Sequence, residues 1–240
     1  MDMTKDALQY VVGLKKAEVI NICGENYTDR EVHRVNRKLR ADPVKMSTLT
    51  GLVDYLKAGI DTTADKMLVQ VVSPASVRVI SMLDEDRRRE ELAQVTALVP
   101  DFDYGRYIEQ EKFLISLQAK FLPNDDRELL LKFAGTVKSE SIAQYGDDGV
   151  AQKATIKTGI STVGDAIVPN PVNLRPFRTF TEVAQPESRF VFRMRQSDRG
   201  GVECAVFEAD GGAWQNKAMA NIKDWLCDCL ADLPKYTVIS

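Results

Sequence analysis

The sequence predicts an α+β fold of mainly antiparallel sheet, with a central helical hairpin and a C-terminal β-hairpin followed by an amphipathic helix. Three observations carry this expectation. Val- and Ile-rich runs of strand character flank "SPAS" at 73–76. The period becomes helical over "YIEQEKFLISLQAKFL" and "NDDRELLLKFAGTV". "SRFVFRMRQSDRGGVECAVFEA" then alternates about a glycine-bearing turn and leads into "AWQNKAMANIKDWLCDCLADL".

Each element has its own reason. Leu8, Val11 and Val12 fall at helical spacing behind Thr4, a suitable N-cap. "AEVINICGENYTDREVHRV" alternates on both sides of Gly24-Glu25-Asn26, which predicts a hairpin turning near Gly24. Ser47 opens a helix whose stripe is Leu49, Leu52, Val53 and Leu56. The two Val/Ile runs and "ELAQVTALV" make a three-stranded antiparallel meander. The charge run "DEDRRREE" between the second and third strands interleaves both signs, as a solvated loop does.

Phe113, Leu114, Leu117 and Phe121 form one helical face, and Leu129, Leu130 and Phe133 the next, with Asn124 or Asp125 as N-cap. Pro123 separates the two helices. "DDG" then reads as a turn and 150–160 as a strand. Three prolines in "AIVPNPVNLRPFRTF" predict a segment running extended along an edge or surface. In the C-terminal hairpin Phe190, Phe192 and Met194 share one face, and Arg189, Arg193 and Arg195 the other. Trp214, Met219, Ile222, Leu226 and Leu230 give the last helix a core-facing stripe, and "KYTVIS" reads as a final strand. The organisation is an N-terminal α+β region over 1–148 and a C-terminal hairpin/helix region over 149–240, or one continuous domain.

Composition narrows the function classes. The chain has 240 residues, 44% hydrophobic and 28% charged, with a formal net charge of −3. That is enough for a substantial core, and it leaves no global field toward nucleic acid or an anionic membrane. No apolar run approaches the roughly 18 residues of a membrane span. The first residues lack a secretory pattern, so the expected location is the cytoplasm, with no membrane partner. Cys23, Cys204, Cys227 and Cys229 are too irregular for a disulfide framework. No cofactor is expected.

Most catalytic constellations are missing. His33 is the one histidine, and neither a G-x-S-x-G elbow nor a reactive-looking cysteine accompanies it. Cys227 and Cys229 stand roughly 200° apart around a helix, which is unsuited to a shared zinc. Neither G-x-G-x-x-G nor G-K-[ST] occurs. "PDFDYGRYIEQEK" offers Asp101 and Lys112 for a metal-dependent nuclease, but Gln110 stands where the second acid belongs, with Glu109 and Glu111 out of register. Helix capping and turn formation account for Asp125-Asp126 and Asp147-Asp148.

Binding is the better prospect. Arg175, Arg178, Arg189, Arg193, Arg195 and Arg199 cluster in one short region, suited to bidentate phosphate contacts. Phe177 and Phe180 are candidate base-stacking partners. Gly211 and Gly212 in "FEADGGAWQN" leave backbone N–H groups for an anion beside the arginine-bearing strand, with Asp210 as a cap for the helix that follows. The competing reading is a solvated outer face of a half-buried sheet.

"FRTFTEVAQPESRFVFRMR" and "AVFEADGGAWQNKAMANIKDWL" resemble a family of tailed-phage and prophage proteins from Gram-positive bacteria whose function is unknown. "STLTGLVDYLKAGI", "VVSPASVRVIS", "DRELLLKFAGTV" and "GDDGVAQKATIKTGIS" are similar to further segments of it, so the resemblance spans nearly the whole chain. A second family, from enterobacterial prophages, is similar in arrangement more than in residues. The resemblance brings no catalytic residues. It implies an early-region gene among replication and recombination genes, and so a protein that handles DNA, adjusts the host or counters host defence. The leading expectation is a non-catalytic early phage protein that binds nucleic acid or a nucleotide as a homo-oligomer. The alternatives are an anti-defence protein that sequesters a host signalling nucleotide or binds a host defence protein, a metal-dependent phosphodiesterase using Glu208 and Asp210, and a virion subunit.

Overall fold

A computed structural model describes residues 4–13, 17–22, 24–28, 40–61, 66–136, 145–147, 151–158, 161–198 and 200–240; for residues 25, 145–147, 151–158 and 161–169 it describes the backbone alone. Cys23, His33, Arg199 and most of the "DDG" turn lie outside the described residues. The fold is α+β with mostly antiparallel sheets, and the chain divides into two units, Met1–Arg40 and Ala41–Ser240.

In the first unit, α1 (Lys5–Gly13) starts behind Thr4, whose Oγ1 accepts from Ala7 N at 3.4 Å. Strands β1 (Val19–Ile22) and β2 (Glu25–Thr28) form the expected hairpin. Its turn is held by Asn21, whose Oδ1 accepts from Gly24 N at 3.2 Å.

The second unit begins with β3 (Val44–Met46), α2 (Leu49–Ala58), β4 (Met67–Ser73), β5 (Ser76–Ser81) and β6 (Glu91–Thr96). There follow β7 (Ile108–Glu109), α3 (Gln110–Lys120), β8 (Phe121–Leu122), α4 (Asp125–Thr136), β9 (Tyr145–Asp147), β10 (Ala151–Thr158) and β11 (Ser161–Pro169). The last elements are β12 (Val172–Pro176), β13 (Ser188–Gln196), β14 (Val202–Glu208), α5 (Ala213–Cys229) and β15 (Tyr236–Ile239).

One sheet has the order β15-β4-β5-β6-β3. Its centre is the antiparallel meander that the Val alternation predicts, with Met67, Val69, Val71, Val77, Val79, Ala93 and Val95 buried. Both outer strands add in parallel, β15 to β4 and β3 to β6. Helices α2 and α5 cover the buried face through Leu49, Leu52, Val53, Leu56, Ile222 and Leu226. The N-cap of α2 is Thr48 rather than Ser47, and its Oγ1 accepts from Gly51 N at 3.1 Å. Glu182 completes the cap from far along the chain: its carboxylate accepts from Leu49 N at 2.7 Å and Thr50 N at 3.3 Å.

The second sheet has the order β7-β14-β13-β12-β8. Phe190, Phe192, Met194, Val202, Cys204 and Val206 point inward, where α3 and α4 supply Phe113, Leu117, Leu130 and Phe133. Asn124 caps α4, its Oδ1 accepting from Arg127 N at 2.9 Å. Arg127 is itself buried, and its guanidinium donates to Leu117 O and Gln118 O, carbonyls of the last turn of α3. The prolines predict a segment extended along an edge or surface; β12 is extended, but it is not an edge strand, lying between β13 and β8. The two-residue length of β8 allows this, since pairing stops at Pro176↔Phe121. A third sheet, β11-β10-β9, is built around the β10–β11 hairpin.

Each of the two cores is discontinuous in the chain and combines residues from both sides of position 148. The segment 177–187 joins them. Gln185, buried, accepts from Arg178 N and Thr179 N and donates to Phe180 O, which fixes a compact turn. Phe180 and Val183 from that turn enter the core of the first sheet. Among the described residues no helix is long and apolar enough to cross a membrane.

Candidate anion-binding cleft and arginine face

Strand alternation sets the geometry of the site. On β13 the even positions from Ser188 to Met194 are buried, so Arg189, Val191, Arg193 and Arg195 stand on the outer face. Register carries that face across the sheet: Val191 pairs with Phe207, Arg193 with Ala205 and Arg195 with Glu203. On the other side Asn173 pairs with Arg189, and Arg175 follows two residues on.

The five described arginines nominated by the sequence meet different fates. Arg175 is held by Glu187 at 2.9 Å, and Arg195 by Glu203 at 2.8 Å. Arg193 donates to Phe192 O at 3.0 Å and has no carboxylate partner among the described residues. Arg189 is exposed and has no ion pair among them.

Arg178 is not available to an anion. It is buried, bonded to Glu208 and to Ser188 Oγ, and its guanidinium lies 3.9 Å from the centroid of the Trp214 ring. Phe190 and Tyr104 flank it at 5.5 and 5.7 Å. Burial pulls its pKa below the ordinary value, and the neighbouring Tyr104, Glu208 and Asp210 pull it back up. Its Nε is buried with no hydrogen-bond partner, so the ring faces and Glu208 compensate the desolvation. Burial likewise raises the pKa of the Tyr104 phenol, against the pull of Arg178. This residue therefore welds segment 177–187 to α5 and β14.

The nominated stacking residues also change. Phe180 is 2% exposed and belongs to the core, so no base can reach it. It follows the end of β12 in an irregular turn, where no periodicity separates inward from outward. Phe177 is half-buried just past β12. The aromatics on the arginine face are Phe207 and Tyr107, both half-buried. They meet edge-on with centroids 6.0 Å apart, and Arg195 sits 4.1 Å over the Tyr107 ring. Hairpin alternation could have found Phe207, since Val202, Cys204 and Val206 take the inward positions.

"FEADGGAWQN" turns by left-handed glycines, Gly211 at φ 62° and Gly212 at φ 80°. Gly212 N is not open to an anion: it donates to Asp210 Oδ1 at 3.0 Å. Nor does Asp210 cap α5 by its side chain, since the N-cap is Gly212 and no side chain bonds to it. Asp210 instead folds the turn before the helix and places its charge near the positive end of the helix dipole. Glu208 and Asp210, the carboxylates of the phosphodiesterase alternative, are thus engaged by Arg178 and by the turn. Among the described residues no group of three His, Cys, Asp or Glu is placed to hold a metal ion.

Beside this turn lies a cleft of about 620 Å³, lined by Asn173, Ser188, Arg189, Asp210, Trp214 and Lys217 among others. Glu187, also on its wall, is held by Arg175. Arg189 and Lys217 are then the cations the cleft presents to a ligand, at the N-terminal end of the 17-residue α5. No known family model, no curated protein and no solved structure matches the chain.

Proposed function

We propose that this is a non-catalytic early phage protein that binds a phosphate-bearing ligand, a nucleic acid or a nucleotide, and works as a homo-oligomer. One observation carries the reading. Arg189 and Lys217, neither with a carboxylate partner among the described residues, line one open cleft at the start of a long helix. Guanidinium and ammonium favour the same ligand charge, two cations against the one Asp210 carboxylate that meets the helix dipole on this wall. The early-gene setting follows from the family resemblance and is part of the same proposal.

The test is a salt-titrated binding assay with labelled oligonucleotides and nucleotides, on the wild type and on Arg189→Ala with Lys217→Ala. Tight binding at low salt that the double variant abolishes supports the reading. The absence of binding to every probe at low salt removes it. Native mass, measured with bound ligand retained, tests the assembly.

The cleft volume falls within the span typical of small-ligand sites, roughly 300–1,000 Å³. That favours one second reading, sequestration of a host signalling nucleotide. Recovery of the intact nucleotide on heat denaturation supports it; a hydrolysed product removes it.

A further inference from the structure

We infer that the ligand is single-stranded nucleic acid, running from the cleft along the outer face of β13 and β14, with Phe207 and the Arg195–Tyr107 pair as stacking stations. This rests on the phosphate-binding reading above and goes further, because it names a polymer and a path.

The path follows from the register. Arg189 belongs both to the cleft wall and to the outer face, so the two surfaces are continuous. Alternate residues on a strand stand about 6.8 Å apart, and neighbouring strands about 4.8 Å. Phe207 lies opposite Val191, midway between Arg189 and Arg193. One base over Phe207 would therefore have a cation on either side for its flanking phosphates. The next station is Tyr107, which carries the planar Arg195 guanidinium at 4.1 Å. Bases stack on guanidinium planes as well as on rings.

Charge on the face suits this occupant. Arg189, Arg193 and Arg195 stand there against two acids, Glu203, which is taken up by Arg195, and Glu109, its cross-strand partner at the β7 edge, so the face keeps an excess of one positive charge. A duplex keeps its bases stacked inside and cannot lay one flat on Phe207. A mononucleotide would fill the cleft and leave the face unused. An unpaired strand uses both.

The test is fluorescence anisotropy with three probes: a labelled oligothymidylate about 15 nucleotides long, a duplex of equal length and a mononucleotide. Phe207→Leu keeps apolar bulk and removes the ring. It should raise the oligothymidylate Kd about tenfold, from the usual worth of one stacked base, with the salt slope unchanged. Arg193→Ala, at a half-buried position whose side chain has no carboxylate partner among the described residues, should also weaken binding and lower the slope by about 0.7. It keeps the test decisive if Phe207→Leu proves unfolded by its melting curve. Wild-type affinity in both variants, with loss in Arg189→Ala, would overturn the path and leave the cleft reading standing. So would tighter binding of the duplex, or binding of the mononucleotide alone. Failure of all three probes at about 50 mM salt would remove both.

Discussion

Replacing Glu208 by Gln isolates the charge in the Arg178 cluster. The guanidinium is 6% exposed and the carboxylate 42%. Gln keeps an acceptor for the Arg178 N–H but removes the charge. A hydrogen bond to a charged group contributes about 1.5–3 kcal/mol and a neutral one about 1 kcal/mol, so the substitution forfeits about 0.5–2 kcal/mol. The partial exposure of Glu208 places the expectation near the lower end, about 1 kcal/mol. In a unit of this size that lowers Tm by about 2–4 °C. Glu187→Gln is the internal control, because its pair with Arg175 is 44% and 48% exposed, and it should lose less than about 0.5 kcal/mol. Urea unfolding at low and high salt reads both. Salt should erase the Glu187 effect and spare most of the Glu208 effect, since Arg178 is shielded from ions. Equal losses in the two variants, or an unchanged Glu208→Gln midpoint, would refute the view that Arg178 is a buried charge held by Glu208.

Phe180→Ala should destabilise by about 3–5 kcal/mol in calorimetry, as a buried core aromatic, while half-buried Phe177 loses far less. Glu182→Ala removes the acceptor of two N–H groups of α2 and should shift the urea midpoint by an amount equivalent to about 1 kcal/mol. Burial pushes the Cys204 thiol up to about 12. Its folded pKa exceeds its unfolded one, so its stabilising share is complete below about pH 9 and declines as pH rises toward 12. Melting across that window should show the decline, and Cys204→Ala should reduce its early part at about pH 9–10, the raised Tyr55 and Tyr104 phenols contributing the rest.

How much the sequence reveals depends on whether a residue sits in a periodic element. Val69, Val71, Val77 and Val79 alternate, and the meander they predict forms. Phe190, Phe192 and Met194 are buried as their alternation requires, with the arginines opposite. The partners of β3 and β15 are not legible, because parallel pairing brings together segments with no local turn to announce it. Arg178 and Phe180 lie in an irregular stretch, where sequence proximity to Arg175 and Phe177 says nothing about direction. One is enclosed by Tyr104, Phe190 and Trp214, the other by the core beneath α5. The site itself was half legible. Arg189, the glycine turn, the following helix and, by hairpin alternation, Phe207 can be read from the sequence, whereas Lys217 and Tyr107 join the site only through the packing of α5 and the pairing of β7 with β14.

The parallel seam between β15 and β4 also governs how the molecule comes into being. Tyr236 pairs with Met67, so the first sheet cannot close until residue 239 has been made. Until α5 is made, the meander lacks the helix that supplies Ile222 and Leu226 to its apolar face, and the first turn of α2 waits for Glu182. Such distant closures slow folding, because loop entropy must be overcome before the contacts reward it. During synthesis β4 therefore leaves the ribosome with one edge unpaired. That edge is the point at which a stalled or shortened chain would aggregate.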